Sequence, residues 1–83
     1  MIDIYGKPNC PFCSQAVDLC EKMHLPYSYK TVGDDLSRED LLEMFPNAKT
    51  VPQISVHGQP VGGFSEFEAY IEQTGYNGTG ATL

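Results

Sequence analysis

The chain has 83 residues, 41% of them hydrophobic, with 11 acidic against 5 basic side chains and a formal charge of -6. That length suits one compact domain with a small core and leaves no room for a second. The acidic balance removes the phosphate attraction that drives nucleic-acid binding and disfavours anionic membranes, and no stretch approaches the ~18 apolar residues of a membrane span.

Met1-Ile2-Asp3-Ile4-Tyr5 carries no basic region followed by an apolar run, so a cytoplasmic location is expected. Ile2-Asp3-Ile4-Tyr5 alternates apolar and polar and stops at Gly6-Lys7-Pro8-Asn9, which predicts a strand and a loop. Phe12, Ala16, Val17, Cys20 and Met23 then recur at helical spacing. This first helix starts at the Cys10-Pro11 step and ends at Leu25-Pro26, because a residue before proline is pushed out of the helical region.

Tyr27 to Val32 is aromatic and β-branched, a second strand ending at Gly33-Asp34-Asp35. Ser37 caps a short helix through Leu41, Leu42 and Phe45, closed by Pro46-Asn47. Val51 to Val56 and Gln59-Pro60-Val61 form a hairpin around His57-Gly58. Ser65-Glu66-Phe67-Glu68 has capping-box spacing and opens a last helix through Phe67, Tyr70 and Ile71, terminated at Thr74-Gly75. The order β-α-β-α-β-β-α predicts an α/β fold with a mixed four-stranded sheet and three helices, a domain over residues 1–75 and a flexible tail over 76–83.

The three cysteines are an odd number, and Cys10 and Cys13 are too close to close the long loop of a structural disulfide. Disulfide exchange needs a thiolate, whereas a free thiol with a pKa of about 8.5 is mostly protonated at neutral pH. Cys10 at the start of a helix faces unsatisfied backbone N–H groups and the positive end of the dipole, and Pro11 suits the first helical position. Lys7 adds a positive charge near the sulfur or near an anionic substrate. Cys13 lies one turn further in, within reach of Cys10 and in more buried surroundings. The asymmetry makes Cys10 the attacking thiolate and Cys13 the resolving thiol. Cys20 falls on the apolar face of the helix and is expected as a core residue. His24 and His57 have ordinary places, near a helix end and in a turn, so no metal site is expected.

Lys7-Pro8-Asn9-Cys10-Pro11-Phe12-Cys13, Thr50-Val51-Pro52 and Gly62-Gly63-Phe64-Ser65, in this order on a chain of this size, resemble a dithiol glutaredoxin over nearly everything before the tail. The resemblance implies a thioredoxin-like fold and a monomer with no permanently bound cofactor. Glutathione would be the co-substrate, and protein disulfides or glutathionylated proteins, with ribonucleotide reductase among them, the partners. It also implies that Pro52 is cis, holding Thr50 and Val51 toward the Cys10 sulfur, with the Val51 backbone pairing to the extended tripeptide.

Gly63, Phe64 and Ser65 would receive the γ-glutamyl end on backbone donors, and Lys7 and Lys49 would meet the glycine carboxylate. Many relatives have an acid where Ser65 stands, with a second acid following as Glu66 does here. Phe12 stands where tyrosine is frequent and keeps the aromatic surface without the hydroxyl. Competing readings are a redoxin reduced by thioredoxin reductase, a homodimer holding an iron-sulfur cluster through Cys10 and glutathione, and a zinc-stabilised interaction domain.

Overall fold

The computed structural model describes residues 1–74; the predicted tail 76–83 and the Gly75 stop lie outside the described residues. The elements follow the predicted order: β1 (Ile2–Gly6), α1 (Pro11–Lys22), β2 (Tyr27–Thr31), α2 (Arg38–Met44), β3 (Gln53–Val56), β4 (Gln59–Gly62) and α3 (Phe64–Thr74). Strand order in the sheet is β2-β1-β3-β4. The β1 and β2 strands are parallel, joined through α1, whereas β1–β3 and β3–β4 are antiparallel. This is the mixed sheet and thioredoxin-like α/β fold expected from the sequence.

Alternation along β1 divides the core. Ile2 and Ile4 are completely buried with Ile54 and Val56 of β3 against Ala16 and Cys20 of α1 and Phe67 and Ile71 of α3. Tyr5 points to the opposite face, where Leu41 and Phe45 of α2 cover it, the Tyr5 and Phe45 rings meeting edge to face at 5.8 Å. The sheet is therefore the middle of three layers, and the chain segments that leave its strand ends carry the site.

Local chemistry explains the boundaries. Ser37 accepts from the Asp40 N–H at 3.1 Å while the Asp40 carboxylate accepts from the Ser37 N–H at 3.2 Å, a reciprocal cap that starts α2 as predicted. His57 and Gly58, with φ of 51° and 79°, form the two-residue turn between β3 and β4. Pro60 lies on the edge strand β4.

Three expectations are corrected. The buried stripe of α1 is Cys13, Ala16 and Cys20, so Phe12, about 100° away around the helix, is 57% exposed, and Met23 is exposed as well. Helix α1 stops before Pro26 exerts any effect: His24 takes a left-handed φ of 58°, its N–H donates to the Glu21 carbonyl, and the Leu25 N–H donates to the Cys20 carbonyl at 2.8 Å. This is a Schellman turn, completed by the burial of Leu25. Helix α3 begins two residues earlier than the Ser65 cap would place it. The Phe67 N–H donates to the Gly63 carbonyl at 2.9 Å, and the Glu66 carboxylate accepts from the Gly63 N–H at 3.0 Å. Gly63 is thus the cap, and Glu66, not Glu68, is the acid that folds back.

Candidate active site

Cys10 is the N-cap of α1, in extended conformation, with Pro11 at the first helical position. Its carbonyl accepts from the Ser14 N–H at 3.1 Å, and its sulfur accepts from the Cys13 N–H at 3.2 Å. A helix start leaves such donors without intrahelical partners, and here one of them is spent on sulfur. The first turn of α1 contains no acidic side chain, so no carboxylate in that turn opposes negative charge at Cys10. Asn9, with φ of 59°, turns the chain into this cap.

Cys10 and Cys13 are joined by a disulfide with 5.2 Å between their Cα atoms. Cys10 is partly exposed, whereas Cys13 is 1% exposed and packs against Gly6. The disulfide is therefore open to attack on one sulfur and shielded on the other, the asymmetry inferred from their spacing. Cys20 belongs to the core; burial, with Glu21 nearby, pushes its thiol up to about 11, which keeps it protonated.

The Val51-Pro52 peptide is cis, and the Val51 carbonyl oxygen lies 3.8 Å from the Cys10 sulfur. The loop holding Thr50, Val51 and Pro52 thus faces the disulfide. On one side of it, Phe12, Thr50, Val51, Pro52, Gly63, Phe64, Ser65 and Glu66 line a groove of about 190 Å³. The Phe12 and Phe64 rings stand 6.3 Å apart across it. Seven of the nine residues expected to meet glutathione come together there. Of the other two, Lys7 lies on the other side of the loop, in a groove of about 260 Å³ that shares Thr50 and Val51.

That second groove also contains Lys49, suggested by the sequence, and Arg38, which sequence reasoning missed. Arg38 follows the Ser37 cap and resembles any solvated first-turn residue until α2 packs on the sheet. Lys7, Arg38 and Lys49 are three of the five basic side chains of a chain with charge -6. The sequence also gave no role to Glu66 in the opposite groove, although the Gly63-x-x-Glu66 spacing was there to be read. Among the described residues no group of three or more His, Cys, Asp or Glu side chains is placed to hold a metal ion, and no helix is long and apolar enough to cross a membrane.

Comparison with known proteins agrees with this arrangement. The family model described as Glutaredoxin matches residues 2–61. The chain is 34% identical over 77 residues to a glutaredoxin of Haemophilus influenzae, covering 84% of this chain and 88% of that one. It is also 34% identical over 77 residues to glutaredoxin 1 of Escherichia coli, covering 84% and 91%. Reduced Escherichia coli glutaredoxin superposes with a TM-score of 0.77 at 33% identity, over 87% of this chain and 93% of that one. A buckwheat glutaredoxin in complex with glutathione shares the fold, with a TM-score of 0.64 at 22% identity over 87% and 69%.

Proposed function

Because this chain belongs to the glutaredoxin family of thiol-disulfide oxidoreductases, we propose that it uses glutathione as reductant and reduces glutathione mixed disulfides and protein disulfides through Cys10. The observation that carries this reading is the pair of grooves that share Thr50 and Val51 beside the Cys10 sulfur, one at the start of α3 and one with three cations. Glutathione is an extended peptide with a carboxylate at each end and a thiol between them. Its γ-glutamyl carboxylate suits the start of α3, its glycine carboxylate suits Lys7, Arg38 and Lys49, and the Val51 backbone lies between for strand-like pairing. The buckwheat complex supports the same ligand for this fold.

The chemistry follows from the two sulfurs. The Cys10 thiolate attacks the glutathione sulfur of a mixed disulfide and releases the substrate thiolate. A second glutathione thiolate then attacks the sulfur of the bound glutathione, forming glutathione disulfide and releasing the Cys10 thiolate, or Cys13 attacks the Cys10 sulfur and releases glutathione. The Cys13 route forms the disulfide seen in the structure, which glutathione reduces again. A protein disulfide is opened by the same first attack, and ribonucleotide reductase is proposed as one such acceptor. A cytoplasmic monomer working from the reduced glutathione pool suits this cycle.

The test follows NADPH consumption with glutathione, glutathione reductase and a small mixed disulfide. The native protein is expected to turn over, Cys10→Ser to be inactive, and Cys13→Ser to retain much of the activity, since glutathione itself resolves the intermediate. A native protein inactive with glutathione but reduced by thioredoxin reductase would overturn the glutathione reading and leave the thiol-disulfide chemistry standing.

A further inference from the structure

We propose that the Tyr29 hydroxyl is a positioning residue for the resolving thiol, donating a hydrogen bond to the Cys13 sulfur when that sulfur leaves as a thiolate. The inference rests on the reading of Cys13 as the resolving cysteine. Its geometric basis is Gly6. A Cβ built on Gly6 would run into the Tyr29 hydroxyl and, at 2.8 Å, the Cys13 sulfur, so the two atoms border one gap narrower than a methyl group. Glycine at the end of β1 leaves that gap open, and the hydroxyl of a β2 tyrosine faces it.

The need for a donor follows from burial. When a small-molecule thiolate reduces the protein, a new S–S bond forms at Cys10, the Cys10–Cys13 bond breaks, and its electron pair departs on the Cys13 sulfur. Cys13 is 1% exposed, so water does not solvate that charge, and an unpartnered buried anion is costly. The Cys13 N–H is already committed to Cys10, leaving its own sulfur without that donor.

In the oxidised protein the Tyr29 O–H donates to the Lys7 carbonyl at 3.1 Å. Exchanging a neutral carbonyl for an anionic sulfur across the gap gives a charge-assisted bond, favourable by the usual order of such bonds. Burial raises the phenol's pKa, so it remains a donor throughout the neutral range. The proton that finally neutralises Cys13 comes from solvent. A groove lined by Lys7, Ser14, Asp18 and Tyr29 opens beside the hydroxyl. Lys7 and Asp18 are the charged groups facing it from the loop and from α1, and no charge faces it from Gly6.

The experiment compares native protein with Tyr29→Phe, which keeps the ring. Reduction of the Cys10–Cys13 disulfide by glutathione is expected to slow about tenfold, the loss of one hydrogen bond to a charged group. In a Cys10→Ser background, the Cys13 titration followed by ultraviolet thiolate absorbance is expected to move upward by about one unit in Tyr29→Phe. In a Cys13→Ser background the Tyr29→Phe effect on glutathione-only turnover is expected to vanish. An unchanged reduction rate and Cys13 titration would overturn the proposal, as would an equal slowing in the Cys13→Ser background, which would assign the effect to general packing. Native protein that no thiol reduces would instead defeat the underlying reading, and that is seen before any Tyr29 variant is made.

Discussion

The cationic groove gives a prediction whose size follows from charge alone. The whole chain carries -6, and glutathione, with two carboxylates and one ammonium, is itself an anion at neutral pH. On the proposed glutathione reading, binding relies on the place where positive charge is concentrated, the groove ringed by Lys7, Arg38 and Lys49. A unit charge about 6 Å from a carboxylate in water contributes roughly 0.7 kcal/mol, reduced by physiological salt. A guanidinium that forms a fork with the carboxylate contributes about 1.5 kcal/mol. Arg38→Ala is therefore expected to raise the KM for glutathione about three- to tenfold at low salt, with kcat nearly unchanged and the salt dependence of KM reduced. Steady-state kinetics over a salt series measures both quantities. Lys22→Ala removes a cation from the last turn of α1, away from the groove, and serves as the control. If Lys22→Ala raised KM as much as Arg38→Ala did, general charge rather than the groove would be responsible, and the argument would fail.

Three further outcomes follow from the same contacts. Gly6→Ala would push its new methyl into Tyr29 and a Cys13 sulfur held by the disulfide, and should cost about 1–3 kcal/mol in denaturant unfolding of the oxidised protein; an unchanged midpoint would show that the gap is wider than described. Glu66→Ala removes the carboxylate from the Gly63 N–H and should destabilise the fold by about 0.5–1 kcal/mol, while Glu66→Gln, which can still accept, should recover most of it. Cys20 has a thiol raised from 9.0 to about 11, so between those values the unfolded chain loses a proton that the folded one keeps. The stability it contributes is present below pH 9 and is lost as the pH rises through 11, on the order of 2 kcal/mol in all. Unfolding of native protein and Cys20→Ala across that range should show the extra decline only in the native protein, and parallel curves would refute the burial argument.

The strands, the two ends of α2 and the start of α1 were legible because each is decided by neighbouring residues. Cys10-Pro11 sets a cap and a first helical position, Ser37 and Asp40 cap each other, and Ile2, Ile4 and Tyr5 alternate across a sheet. The errors arose where two local signals competed. Ser65-x-x-Glu68 and Gly63-x-x-Glu66 offer the same spacing, and the side chain that must reach the core decides between them. Starting the helix at Phe64 puts Phe67 and Ile71, four apart, inward together under β1 and β3. A proline two residues beyond His24 looked like the stop for α1, but Leu25 gains burial by folding back, and that gain sets the end of the helix earlier.

The site divides in the same way. Cys10, Cys13 and the cis Val51-Pro52 loop were found because each is marked by its own short pattern, the proline's geometry through the family resemblance. Arg38 and Tyr29 have no such pattern. Arg38 reaches the groove because Leu41 and Phe45 anchor α2 over Tyr5, and the Tyr29 hydroxyl comes to the gap beside Gly6 that the Cys13 sulfur also borders because β2 pairs in parallel with β1 and Gly6 has no side chain to intervene. Both depend on the packing of separate elements on one sheet. The residues proposed to perform the chemistry therefore carry their own short patterns along the chain, whereas those proposed to set charge and hydrogen bonding around it come together only once the layers are assembled.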